Sequence, residues 1–356
     1  MSNRSVCFVG AGLKTGGHER SLSSLANYFA ANGHKVVVIN LFRTEQFFHL
    51  DERIDVFWPD IERTRLNRFV YAVLIIPYLR RSIRKAKPDF IFSYGEWFNP
   101  YVILSTFFLK IPVFVLDRMG PKIDLGLLIE TSRKVLYRFA TGVIVQTKIA
   151  AEIIKRKTKA KNIGIVPNPV NVINTNTSIR YKQIVTVGRL SKEKGHIVLL
   201  RAFARLKDKD WTLHIIGDGP ERKNLIKETL LLGIEGRVIF HGQLKNFGKV
   251  LGESIIFVLP SYYEGFPNSL IEAMSVPLAC ISSNCIAGPE EIISNRINGI
   301  LVEPGNVDEL HLALEEVINK PELASDIARE AYKVREVLSF EKIASLYLDF
   351  VDNCVK

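Results

Sequence analysis

Short runs of Val, Ile and Phe recur along this chain, each followed by a stretch with helical spacing, and that alternation leaves few folds open. The first series reads VCFVGAG (6–12), a helical pattern HERSLSSLANYFAANG (18–33) closing at Gly33, and HKVVVIN (34–40). DFIFSY (89–94), IPVFVLD (111–117) and GVIVQT (142–147) follow. Runs that are apolar throughout belong to strands buried on both faces, so the pattern predicts parallel strands with helices on each side. A second series begins after IVPNPVNVINTNTSIR (165–180), whose Asn, Thr and Pro mark a linker. It runs QIVTVGRL (183–190), WTLHIIGDG (211–219), RVIFHGQL (237–244), SIIFVLPS (254–261), PLACISS (277–283) and GILVEPG (299–305), with helical patterns between. Two doubly wound α/β domains are expected, residues 1–170 and 171–338, with a closing helix at about 339–356 free to pack back on the first. No short-period repeat is visible, which excludes a solenoid.

Composition fits this plan: 356 residues, 47% hydrophobic and 24% charged, are enough for two cores. Cys7, Cys280, Cys285 and Cys354 form no C-x-x-C pair, so a reduced, cytoplasmic setting is expected. The N-terminal apolar run is too short for a signal peptide. The longest, FVYAVLIIPYL (69–79), is too short for a membrane span and contains Pro77.

Charge is uneven. Residues 1–170 carry 26 Lys and Arg against 13 Asp and Glu, and the remainder carries 22 against 24. The basic half calls for an acidic partner. Nucleic acid is not expected, because no basic strand interleaved with aromatics is present. The segment 62–87, with an apolar centre and basic flanks, and KRKTKAK (155–161) suit the cytoplasmic face of an anionic membrane. The competing reading is a core helix with a solvated basic face.

Three constellations carry chemistry. In GRLSKEKGH (188–196), Gly188 ends a strand and permits a tight turn, and Arg189 and Lys194 leave the same loop. A planar fork beside a point charge suits a diphosphate. In YYEGFPNSLIEAM (262–274), Pro267 stiffens the approach and Asn268 or Ser269 caps a helix whose first N–H groups favour a phosphate. Glu272 reads alternatively as the partner of Ser269 in a capping box, whereas Glu264, on the loop after a strand, has no such explanation. In GAGLKTGGHER (10–20), Gly10 and Gly12 follow a strand, but the third glycine is out of register and Asn40 stands where a ribose-binding acid belongs. It is neither a dinucleotide fingerprint nor a P-loop. Gly16 and Gly17 still allow close approach of a phosphate.

The ordered set Gly16-Gly17-x-Glu19-Arg20, VPNPV (166–170), Gly188-Arg189-Leu190 with Glu193-Lys194-Gly195, GDGPE (217–221), PSYYEGFPNSLIEAM (260–274), GPEEII (288–293) and NGILVEPGN (298–306) resembles retaining glycosyltransferase family 4 over nearly the whole chain. The resemblance implies a GT-B fold, α/β with two Rossmann-like domains facing across a cleft. It implies a peripheral or soluble enzyme moving a sugar from a nucleotide diphosphate, most simply a UDP-sugar, to a growing cell-surface glycan or lipid-linked acceptor. By the same resemblance Arg189, Lys194 and Glu264 are catalytic, with the cation pair on the diphosphate and Glu264 facing the transferred sugar. Glu272 holds the ribose, and Gly16, Gly17, Gly188, Phe266 and the N–H groups of Asn268, Ser269 and Leu270 line the donor. The base lies near HGQL (241–244), at Gly242. His18, Arg20 and Arg118 are further candidates for donor or acceptor contact.

No metal and no cofactor is expected, since two cations and a helix start can stabilise a departing diphosphate. Two departures stand out. DRMGPK (117–122) occupies the place of the family's usual histidine, and Arg118 cannot act as a base near neutral pH. Pro277 and Ala279 replace the usual Gly and Pro after the helix, so its end must close without a left-handed residue. A 2-epimerase of the same fold and a silent sugar-nucleotide-binding protein are the rivals. The epimerase needs additional acid/base carboxylates and histidines in the cleft, and none of the seven histidines is clustered in the sequence.

Overall fold

All thirteen strands of the structure, a computed structural model describing residues 3–14, 16–61, 67–118, 120, 125–175, 179–286 and 288–356, lie in two parallel sheets. Contacts divide the chain into two compact units, Met1–Asn168 with Phe340–Lys356, and Pro169–Ser339.

The first unit holds β1 (Ser5–Gly10), β2 (Lys35–Asn40), β3 (Asp55–Phe57), β4 (Phe90–Tyr94), β5 (Val113–Asp117), β6 (Gly142–Val145) and β7 (Ile163–Ile165), in the order β3-β2-β1-β4-β5-β6-β7. The apolar runs sit where the pattern places them, with Phe8 paired to Val38 on one side and Phe92 on the other. β3 and β7 are three residues each and are absent from the sequence reading. At a sheet edge only part of each strand is buried, so no continuous apolar run marks them.

One face of this sheet is covered by the helix Phe340–Val355. Tyr347 meets Phe92 edge-on at 5.2 Å, Phe350 meets Phe114 at 5.8 Å, and Asp352 takes a bidentate pair of bonds from Arg4 at 2.7 and 2.9 Å. Phe350 needs two glycines beneath it. A Cβ on Gly142 or Gly164 would lie 2.8 or 2.7 Å from its ring. The helix Arg68–Ala86 covers the other face with Tyr71, Ile75, Leu79 and Ile83, four residues apart, and runs on through Pro77. It leaves Val70, Val73 and Leu74 exposed. Residues 62–66 of the basic segment lie outside the described residues. No helix among the described residues is long and apolar enough to cross a membrane.

The second unit holds β8 (Gln183–Val187), β9 (Thr212–Ile216), β10 (Val238–Gly242), β11 (Ile256–Leu259), β12 (Ala279–Ser283) and β13 (Ile300–Val302), in the order β10-β9-β8-β11-β12-β13. Leu199, Phe203, Leu213, Ile215, Val258 and Ile281 centre its core. In each sheet the strand order turns once, between β1 and β4 and between β8 and β11, and such switch points open a crevice above the carboxyl ends.

Glycine in a strand interior ordinarily weakens it, so Gly164→Ala would stabilise an unobstructed strand. Here it should destabilise by about 1–3 kcal/mol through overlap with Phe350. Chemical denaturation of Gly164→Ala, Phe350→Leu and the double variant should show coupling of about 1 kcal/mol. Additive losses would mean that the terminal helix is not seated on β6 and β7.

Candidate functional site

At the carboxyl ends of β8, β9 and β11 three loops interlock through their backbones. Gly195 has φ +63, and a Cβ there would stand 2.1 Å from the Pro260 carbonyl oxygen. Gly217 has φ +137, and its Cβ would stand 1.9 Å from that of Gly188. Only glycine tolerates both the torsion and the approach. Leu190 N–H donates to Asp218 O at 3.0 Å, Glu221 N–H to Leu190 O at 2.9 Å and Tyr262 N–H to Glu193 O at 2.8 Å. These bonds fix the stem from which Arg189 and Lys194 project.

Lys194 Nζ donates to both oxygens of Glu264, at 2.7 and 2.8 Å, and Ser261 Oγ donates to Glu264 Oε1 at 2.7 Å. Glu264 is 7% exposed and Lys194 about a quarter. Arg189 is exposed and has no ion pair among the described residues. Within this loop Glu193 is held below the usual carboxylate range. Burial works against that shift, but the Ser191 hydroxyl and the charges of Lys194 and Arg189 outweigh it. Two partners here were not legible: Ser261, which steadies Glu264, and His196, buried with its ring near Gly188 and pushed down to about pKa 4 by burial and by Lys194.

Glu272 is 3% exposed and accepts a bond from Asn171 at 3.4 Å. The capping-box reading fails. The helix is Asn268–Met274 with Pro267 at its N-cap and no side-chain cap, so Asn268 and Ser269 already lie inside it. Asn268 N–H closes on Phe266 O at 2.9 Å and Leu270 N–H on Pro267 O at 3.0 Å. Of the three expected donors, only Ser269 lacks a chain acceptor among the described residues. Phe266 is buried. The helix end closes in a right-handed turn, as Pro277 requires: Ser275 Oγ donates to Glu272 O at 2.6 Å and Val276 N–H to Ala273 O at 2.9 Å.

Gly242, at the end of β10, has φ +68 and receives the Gly217 N–H at 2.8 Å. The histidines are not all isolated, contrary to the sequence reading. His241 and His214, on adjacent strands, approach to 3.0 Å through Nε2 and Nδ1, and Thr212 lies 3.3 Å from His214. Burial and the neighbouring ring push His214 down to about 4. No group of three metal-ligating side chains occurs among the described residues, and Cys285, beside Glu264, is pushed up to about 12 by burial.

In the first unit the glycine loop leads into the helix Gly17–Ala31. Gly17 is open, since a Cβ there would meet nothing within 4 Å, whereas a Cβ on Gly16 would lie 2.1 Å from the Glu19 carboxylate. Arg20 sits in the first turn, its N–H closing on Gly16 O at 3.0 Å. Burial and the charge of Arg118 lower the pKa of His18.

Arg118, a candidate for donor or acceptor contact, lies inside the unit. It is 6% exposed and stacks 4.8 Å from the Tyr94 ring centroid. Its guanidinium donates to Ser21 Oγ at 2.6 Å, to Asn168 Oδ1 and to Tyr347 Oη, while its N–H donates to Glu96. Four separate segments of the unit are tied by this one side chain. Beside it, Asp117 accepts from Arg133 at 2.5 Å and Tyr137 at 3.2 Å. Met119, Pro121 and Lys122 of the same stretch lie outside the described residues.

A family model described as "Glycosyltransferase Family 4" matches residues 15–173, and one described as "Glycosyl transferases group 1" matches 174–334. An uncharacterized glycosyltransferase of Haemophilus influenzae is 28% identical over 92% of this chain and 94% of its own. A Campylobacter jejuni α-1,4-N-acetyl-D-galactosaminyltransferase, named for a GalNAc-containing diphospho-undecaprenol glycan, is 27% identical over 92% of each. Among solved structures, Anabaena Alr3699/HepE in complex with UDP superposes with a TM-score of 0.81 at 17% identity, covering 98% of this chain and 100% of that one.

Burial, then the nearby Glu96 charge, raise the Asp117 carboxyl to about 7, against the opposing pull of Arg133. The folded chain therefore binds this proton more tightly than the unfolded chain. The stability it contributes is full below about pH 4 and is lost as pH rises through about 7. Thermal denaturation across that range should show the wild type losing stability relative to Asp117→Asn. A constant difference between the two would contradict the shift.

Proposed function

The chain belongs to glycosyltransferase family 4 and has its GT-B architecture of two Rossmann-like units, and on that premise we propose a retaining transfer of sugar from a UDP-linked donor to a lipid-linked or cell-surface glycan. The observation that carries this reading is the Arg189–Lys194 loop with Lys194 seated on Glu264. An ammonium has three N–H donors. Two engage Glu264, so the third remains for a phosphate oxygen, with its direction set by the carboxylate. Arg189 adds a planar fork for the same diphosphate.

The chemistry then follows from charge. The bond between sugar C1 and the β-phosphate oxygen breaks, its electrons pass to the diphosphate, and the two cations stabilise the anion that leaves. The acceptor hydroxyl oxygen bonds to C1 on the face the diphosphate vacates, and its proton passes to a departing phosphate oxygen. Glu264 holds Lys194 and meets the transferred sugar's hydroxyls, and Glu272 meets the ribose. The uridine diphosphate in the Anabaena complex and the diphospho-undecaprenol in the Campylobacter relative's name support the donor and acceptor classes.

Purified protein should release UDP from UDP-hexoses or UDP-N-acetylhexosamines when a lipid-linked acceptor is present, and the product anomer seen by NMR should match the donor's. Arg189→Ala and Glu264→Ala should each lower kcat about 100-fold or more. Turnover of GDP- or ADP-sugars instead would overturn the donor, and an inverted product the retention. An isomerised sugar formed without acceptor would favour the epimerase.

A further inference from the structure

Away from the donor loops, the second unit carries a groove of about 990 Å³ at the amino ends of its strands. Lys182, Trp211 and Ile255 each directly precede a strand and Ala279 opens β12, so four strands deliver one wall residue apiece. Arg189 and Lys194 leave the opposite end of β8, about 16 Å of strand away. The facing wall is the helix Pro321–Tyr332, which lines the groove with Ala324, Ser325, Ala328, Arg329 and both its end residues. From Pro321 to Tyr332 that helix rises about 16 Å, so the space is elongated.

Small residues make the room. Ala324 and Ala328 stand four apart on one face of the helix, and Ala279 takes a place where the family resemblance implies proline. Ala279 keeps an N–H that a proline would lack and donates it to Ile255 O at 3.0 Å, tying two wall residues together. Pro277, the other departure from the family pattern, adds its ring to the wall. Trp211 is 4% exposed and Val317, on the preceding helix Val307–Asn319, is buried, so the floor is apolar and packed. A space of this size stands at the upper end of small-molecule sites.

The charges select a head group. Three cations line the groove. Lys182 is paired with Asp208 at 2.9 Å and Asp210 at 3.4 Å, and Arg329 with Asp326 at 2.7 Å. Arg180 has no ion pair among the described residues. Its guanidinium donates to Pro277 O, and partial burial with no anion beside it lowers its pKa. The planar fork of a guanidinium, with five N–H donors, matches a carboxylate. One uncompensated cation suits one negative charge, whereas a phosphate monoester carries nearly two and would be repelled by Asp208 and Asp210. Arg335 shows at which end that charge belongs. It stacks 4.2 Å over the Tyr332 ring and donates to Ser275 O at 2.7 Å, two residues before Pro277. Arg180 therefore stands at the Tyr332 end of the groove.

We propose that this groove binds a carboxylate carrying a single aliphatic chain, with the carboxylate on Arg180 and the chain laid along the helix Pro321–Tyr332 over Trp211. The site is separate from the donor loops and stands whether or not the protein moves sugar.

Calorimetric titration of decanoate, kept below its micelle concentration, into the whole protein should show one saturable site. 1-Decanol, which lacks the charge, and acetate, which lacks the chain, should each bind at least about tenfold more weakly. Arg180→Gln, at an exposed position, should weaken decanoate about tenfold, and Arg180→Lys should retain more of the affinity. Ala328→Leu, which fills the groove, should remove binding while circular dichroism stays that of the wild type. Trp58→Phe with Trp97→Phe leaves Trp211 the sole indole, and 10-bromodecanoate should quench its fluorescence. Absent or unsaturable binding of decanoate, equal binding of 1-decanol, unchanged affinity in Arg180→Gln, or an unquenched Trp211 would overturn the inference.

Discussion

Backbone-to-backbone contact at the carboxyl edge of the second sheet is what everything else depends on. Gly195 presses against the Pro260 carbonyl and Gly217 against that of Gly188, so the loops after β8, β9 and β11 hold one another without side chains between them. That closeness brings Lys194 onto Glu264 from a loop seventy residues away in sequence. A longer residue at either glycine would separate the loops and aim the amine elsewhere. Rigid placement of charge before the reaction is what makes electrostatic stabilisation effective, because nothing then has to reorganise as the diphosphate departs.

The first unit solves a different problem. Asp117 and Arg118 stand in the stretch where the family resemblance implies a histidine, and the charge of Arg118 is absorbed within the unit by Ser21, Asn168, Tyr347 and the Tyr94 ring. A buried guanidinium with this many acceptors orders the segments around it, and removal of any partner leaves it under-satisfied. The terminal helix carrying Tyr347 is thereby joined to the loop after β5.

Much of this was legible. Long apolar runs marked every interior strand, because strands buried on both faces have no polar alternation to confuse them. Glu264 stood out as a loop carboxylate with no local explanation, and the structure gives it Lys194. Readings failed where local pattern competed with packing. Ser269 and Glu272 have capping-box spacing, yet with Pro267 at the N-cap the helix starts two residues too early for that box to form. The edge strands β3 and β7 carried too little apolar sequence to be seen. His214 and His241 lie 27 positions apart and meet only because β9 pairs with β10. Arg133 and Tyr137, the partners of Asp117, were invisible for the same reason, since a buried polar network is a property of topology and not of spacing.

The central claim is that Arg189 and Lys194 bind the second phosphate of the donor. Calorimetric titration of UDP and UMP into the wild type and into the Arg189→Ala, Lys194→Ala double variant isolates that phosphate. The wild type should prefer UDP by at least about tenfold, worth roughly 1.4 kcal/mol, and the double variant should bind the two nucleotides alike. A double variant that keeps the full preference for UDP would contradict the account.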